Sequence, residues 1–232
     1  MKSISWFAAT FIATLQSCGS MPSDAQDHPA GATVAARPAA APAEATSCAC
    51  HHDDGPQVSS RMERVDVGRA PIRGAASAPV TVVAFFDYEC PYCARGERML
   101  AELERRYPNV RIAFKQRPLP FHEHAALAAR AALAADEQGR FAELHAKLFA
   151  SQSALDRASL ERYATELGLD LGRFREALDS PRVAARIDDD RTQADELGVA
   201  GTPTFFVNGR RVVGAQPLEE VAPLVEASLG PR

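Results

Sequence analysis

From residue 61 onward the apolar positions follow two periods. The stretch "RMERVDV" alternates and could pair as an edge strand. "PVTVVAFFD" is an unbroken β-branched and aromatic run of the kind a buried strand needs, and "NVRIAFK" is another. Between these two, Met99, Leu100, Leu103 and Tyr107 recur at helical spacing until Pro108 and Asn109 end the helix. Strand, helix and strand with a crossover of this length form a βαβ unit, so the strands should be parallel and the connection right-handed.

A long helical region follows "RPLPFHEH". It runs through "AALAARAALAADEQ", "GRFAELHAKLFASQ", "RASLERYATELG", "DLGRFREALDS" and "RVAARIDDDRTQADELG", and breaks at Gly139, Gly168 and Pro181 cut it into several helices. The pattern then returns to strands. "TPTFFV", "NG" and "RRVVG" together are a hairpin signal of high specificity, and "PLEEVAPLVEASLG" reads as a closing amphipathic helix. A βαβ half and a ββα half with helices between them make one α/β domain over 61–232.

The chain before this domain is built differently. Residues 1–18, "MKSISWFAATFIATLQSC", place Lys2 ahead of an apolar stretch too short to span a bilayer but suited to a secretory signal. "LQSC" resembles a bacterial lipobox with Cys18 as the acylated residue, although Gln16 departs from its usual small or aliphatic residue. Gly19 resembles the outer-membrane sorting class, so the expectation is a periplasmic, outer-membrane lipoprotein held by a lipid anchor. Residues 19–60 are rich in Ala and Pro, as in "AARPAAAPAEAT", and read as a disordered tether because they cannot bury enough apolar surface to offset chain entropy. Within it, "CACHHDDG" sets Cys48, Cys50, His51 and His52 together. These are weak candidate metal ligands, because no second cluster follows at zinc-finger spacing.

With 232 residues and 46% hydrophobic content the chain can bury a core, and a net charge of −4 with no basic block gives no reason to expect nucleic acid as a partner. The chemistry lies in "FFDYECPYCARG", where Cys90 and Cys93 follow directly on an apolar strand. That spacing alone serves half of a zinc site, a structural staple or a redox-active pair.

Four stretches carry a resemblance: "DYECPYC", "FKQRPLPFHEHAALAARAALAA", "GRFAELHAKLFASQ" and "GVAGTPTFFVNG". From Arg61 to Leu229 the chain resembles the DsbA-like branch of the thioredoxin-fold thiol–disulfide oxidoreductases. The resemblance implies a thioredoxin fold with an inserted helical subdomain, and disulfide exchange with protein thiols or disulfides and with an unidentified redox partner. Its only redox centre would be the Cys90–Cys93 disulfide, with no nucleotide, flavin or metal. Pro203 carries over as the cis-proline facing the cysteine pair, with Thr202 before it offering its N–H and C=O to an extended substrate strand. Pro91 and Tyr92 join these two as expected substrate contacts. Oxidase, isomerase and reductase share all of these motifs, so the direction of electron flow stays open.

The residues agree with that chemistry on physical grounds. Cys90 should lie at a helix N-terminus, where free N–H groups and the helix dipole favour a thiolate, and Pro91 sits where the helix needs no donor. Cys90 is therefore expected to be the exposed nucleophile, and Cys93, one turn on and more shielded, the resolving thiol. Thioredoxin-like proteins commonly carry a buried acid six residues before the nucleophile, but here that position is Ala84. Asp87 and Glu89 are expected on the opposite face of the strand if it stays regular that far, with Glu89 raising the energy of the thiolate if its charge lies close. His122, His124 and His145 are expected to be surface or capping residues. The competing reading is a metal-binding or metal-delivery protein built on Cys48, Cys50, His51 and His52.

Overall fold

The computed structural model of the chain describes residues 58–230. The expected leader, Cys18 and the cluster of Cys48, Cys50, His51 and His52 lie outside the described residues. In chain order the first half forms β1 (Val58–Met62), β2 (Ile72–Arg73), β3 (Val80–Phe86), α1 (Pro91–Arg106) and β4 (Val110–Gln116). Five helices follow: α2 (Ala125–Asp136), α3 (Phe141–Ala150), α4 (Arg157–Glu166), α5 (Leu171–Asp179) and α6 (Pro181–Glu196). The chain closes with β5 (Thr204–Val207), β6 (Arg210–Val213) and α7 (Leu218–Leu229).

The strands form one sheet in the order β1-β6-β5-β3-β4-β2. β3 and β4 are parallel, with Val80 opposite Val110 and Phe86 opposite Gln116, as the βαβ reading requires. β5 and β6 form the expected hairpin with Val207 opposite Arg210, and Asn208 and Gly209 both take positive φ, 44° and 90°, which a two-residue turn of the right twist demands. Three features of the sheet differ from expectation. The alternating stretch 61–67 is strand only as far as Met62. β1 begins at Val58, so residues 58–60, read as tether, belong to the sheet, where Val58 faces Val212. Their sequence "VSS" carries no alternation to announce a strand. β2 pairs Ile72 and Arg73 with Ala113 and Ile112, and two residues are too few to show any period.

β3 is covered on both faces. Val82, Ala84 and Phe86 join the large core under α1 and the helical insertion, while Val83 and Phe85 pack with Ala194, Val199 and Phe206 on the other side. The insertion is held by ordinary helix-end chemistry. Asp156, Asp170 and Ser180 accept N–H bonds at the starts of α4, α5 and α6, and Pro181 occupies the first turn of α6. Gly139 and Gly168, both at φ +70°, close α2 and α4. α6 is tied back to the sheet by a buried pair, Lys115 Nζ to Asp190 Oδ1 at 2.9 Å, while Asp190 Oδ2 accepts the Gln116 N–H at 2.9 Å. No helix among the described residues is long and apolar enough to cross a membrane.

Candidate active site

β3 ends at Phe86, and the chain turns through Asp87, Tyr88 and Glu89 into α1. Cys90 is the residue before the helix, in extended conformation, and Pro91 is its first residue. No acidic side chain stands in the first turn of α1, so no residue of that turn offsets the positive helix end beside Cys90. Both cysteines are free thiols. The Cys90 Sγ lies 3.3 Å from the Thr202 carbonyl oxygen, to which the protonated thiol donates, and the Asp87 N–H points at the Cys93 Sγ at 3.4 Å.

These surroundings separate the two thiols. The Cys93 S–H bonding to the Cys90 sulfur holds Cys90 down to about 6; the backbone of Cys93 and Tyr92 at the helix start helps, and burial opposes. Cys93 is pushed far above the ordinary thiol range by burial and by the hydrogen bond and charge of Cys90. Cys90 is not the exposed residue expected, however. It is 5% exposed against 0% for Cys93, with the Thr202 carbonyl against its sulfur, so the thiols differ in ionisation more than in exposure.

The Thr202–Pro203 peptide bond is cis, and the segment sits across from α1 as the family resemblance implies. The close approach depends on Gly96. A Cβ there would stand 2.9 Å from Phe205 Cζ and 3.1 Å from Pro203 Cγ, so a side chain would wedge α1 away from the proline. The one sequence signal for this residue is a lone glycine in the middle of a helical pattern. Of the remaining expected contacts, Pro91 and Tyr92 are both exposed, and the Arg95 guanidinium stacks 4.3 Å from the centre of the Tyr92 ring.

Ala84 is fully buried between β4 and β5, opposite Phe114 and Phe205, so no acid occupies that position. Asp87 does not obey the strand alternation, because it lies beyond the end of β3. Its fully buried carboxylate accepts from Glu89 N at 2.8 Å and Leu119 N at 2.7 Å, and it meets His122 Nδ1 at 2.8 Å. It thereby ties the cysteine turn to the loop before α2. The Glu89 carboxylate turns away from Cys90 and accepts the His124 N–H at 2.6 Å, at the positive end of α2.

The histidines differ from expectation where burial is concerned. His122 serves the buried Asp87, and His145 is itself buried on α3 among Phe86, Phe114, Phe141 and Phe149. Its Nδ1 lies 2.8 Å from the Tyr88 hydroxyl, and its Nε2 lies 3.1 Å from Glu97, off the line of a full hydrogen bond. Burial holds the imidazole below its ordinary range against the pull of Glu97. These partners are 57 and 48 positions away, beyond any local pattern. No group of three or more His, Cys, Asp or Glu that could hold a metal occurs among the described residues.

Residues 81–226 match the family model described as a DSBA-like thioredoxin domain. The chain is 48% identical over 165 residues to a Na+/H+ antiporter, NhaA 3, of Salinispora tropica, a match covering 71% of this chain and 25% of that protein. The chain thus spans about a quarter of the length of the curated relatives it matches. Among solved structures, a thioredoxin-like oxidoreductase from Silicibacter pomeroyi superposes with a TM-score of 0.65 at 34% identity, over 70% of this chain and 94% of that one. A periplasmic thioredoxin-like protein from Salmonella enterica serovar Typhimurium gives 0.58 at 29% identity, over 69% and 90%.

Proposed function

The chain belongs to the family of DSBA-like thioredoxin domains, and from that premise we propose that it is a thiol–disulfide oxidoreductase whose exchanging thiols are Cys90 and Cys93, with Cys90 the nucleophile. The supporting observation is the placement of the two sulfurs at one helix start, Cys90 just before α1 and beside the Thr202 carbonyl and Cys93 fully buried within the first turn, which holds one thiol to about 6 and pushes the other far up. In the oxidising direction a substrate thiolate attacks Cys90 of the Cys90–Cys93 disulfide, and Cys93 leaves and takes up a proton. The second substrate thiolate then attacks its own sulfur in the mixed disulfide and expels the Cys90 thiolate. Two electrons pass from the substrate dithiol to the protein. The reverse sequence reduces a substrate, with Cys93 losing its proton as it attacks Cys90. Stabilising the Cys90 thiolate stabilises the reduced pair, which biases the couple toward oxidising substrate dithiols. Thr202 and Pro203 would then present the backbone against which an extended substrate lies, beside Pro91 and Tyr92.

Mixing the oxidised protein with a reduced dithiol peptide tests this reading. Peptide disulfide should appear with matching loss of the Cys90–Cys93 bond, and Cys90→Ser should be reduced to background. Formation of peptide disulfide at the same rate by Cys90→Ser would refute it.

The same proposal places the domain in the periplasm, on a leader over residues 1–18 and a tether running to the start of β1. A relative named as periplasmic supports this placement, and "LQSC" supports a lipid on Cys18. Cys18→Ser should shift the protein from the membrane fraction to the soluble periplasmic fraction. An unchanged membrane share would refute the anchor. The transport named for the antiporter relatives is not carried to a chain that spans a quarter of their length.

A further inference from the structure

The helical insertion reaches the reacting cysteines through Gln152. This residue lies half-buried in the turn after α3, and its side-chain nitrogen is 2.8 Å from the Tyr88 carbonyl oxygen and 2.9 Å from that of Cys90. Both partners are acceptors. Only the NH2 end of the amide can face them, and its two hydrogens are both used. The turn is itself braced, with Ser151 N bonded to Leu148 O at 3.1 Å and Ala154 N to Ser151 O at 2.9 Å. Just before it, Phe149 packs on the Tyr88 ring at 4.9 Å and His145 holds the Tyr88 hydroxyl. The end of α3 therefore grips Tyr88 by ring, hydroxyl and carbonyl, and Gln152 extends the grip to Cys90.

The Cys90 carbonyl also accepts the Cys93 N–H at 3.0 Å. Its orientation thus sets the peptide units at the start of α1, whose N–H groups, those of Tyr92 and Cys93, favour the Cys90 thiolate. We propose that Gln152 is a positioning residue for the exchange reaction: by holding two carbonyls of the turn that carries Cys90, it keeps the start of α1 in register with the Cys90 sulfur. The inference rests on the reading of Cys90 as nucleophile. It makes the insertion part of the chemistry as well as a cover over it. Gln152→Met keeps the length of the side chain and removes both donors. Gln152→Glu keeps its shape and sets an acceptor against two acceptors, which leaves both carbonyls opposed when it is ionised.

The test is the rate of Cys90 alkylation by iodoacetamide against pH in the reduced protein, read by peptide mass spectrometry, with thermal unfolding in parallel. The wild-type midpoint should lie near 6. Gln152→Met should raise it by about one pH unit, a tenfold loss of thiolate below both midpoints, and Gln152→Glu at least as far. A purely structural role would lower the unfolding temperature and leave the midpoint in place. A midpoint unmoved in Gln152→Met overturns the proposal, whatever happens to stability and even if it moves in Gln152→Glu, where the added charge raises it without any loss of positioning. A wild-type midpoint in the ordinary thiol range would instead overturn the reading of Cys90 as an activated nucleophile, so the two failures are told apart.

Discussion

Cys93→Ser is expected to accumulate stable mixed disulfides with protein substrates, and Cys90→Ser to accumulate almost none. At neutral pH most of a thiol held to about 6 is ionised, whereas a thiol pushed as far up as Cys93 is almost wholly protonated. The thiolate is the attacking species, so the two variants should differ in capture on the order of a hundredfold or more. Serine is the informative replacement at position 93. It cannot resolve the mixed disulfide, but its hydroxyl still offers the Cys90 sulfur the donor that the Cys93 S–H supplies. Cys93→Ala removes that donor, the largest influence on Cys90, and should raise the Cys90 midpoint where Cys93→Ser does so less. Captured complexes are counted on non-reducing gels. Equal capture by Cys90→Ser and Cys93→Ser would show that the roles are misassigned.

The reduced protein should grow more stable relative to the oxidised one as pH rises from 6 to 8, by about 2 kcal/mol. Folding lowers the Cys90 thiol from its ordinary range near 8.5 to about 6, so the fold favours its ionised form. That contribution is fully present above the unfolded value and is lost as pH falls through the folded one. Cys93 works in the opposite sense. Its raised value favours the neutral thiol, so its effect is full below about 8.5 and is lost only as pH climbs past that point. Between 6 and 8 the Cys90 effect therefore stands nearly alone. Side chains that titrate alike in both redox forms cancel in the difference, which denaturant unfolding of the two forms measures directly. A difference flat across this window would mean that folding does not favour the Cys90 thiolate.

What could be read from the sequence is what local chemistry controls. The βαβ unit, the five helices of the insertion and the final hairpin announce themselves because period, prolines and glycines act within a few residues. The CxxC at a strand end was legible for the same reason, whereas the cis Thr202–Pro203 segment was legible only through the family resemblance. What could not be read depends on partners far along the chain. Asp87 looked like a strand residue of the wrong face until β3 was seen to stop at Phe86, and its three partners include Leu119 and His122, 32 and 35 positions away. His145 looked like a surface residue because a single histidine on a helix says nothing about the Tyr88 and Glu97 it will meet. Gly96 was visible as an oddity in a helix, but only the packing against Pro203 and Phe205 explains it. Gln152 had no signal at all, since it follows a helix and bonds to main-chain atoms 62 and 64 positions back.

The central claim is that one fold position activates Cys90 and silences Cys93, and site-resolved alkylation of the reduced wild-type protein across pH tests it most directly. Cys90 should be half-maximally reactive near pH 6, and Cys93 should stay unreactive throughout the mild range. A Cys93 that alkylates faster than Cys90, or two thiols that titrate together in the ordinary range near 8.5, would contradict it.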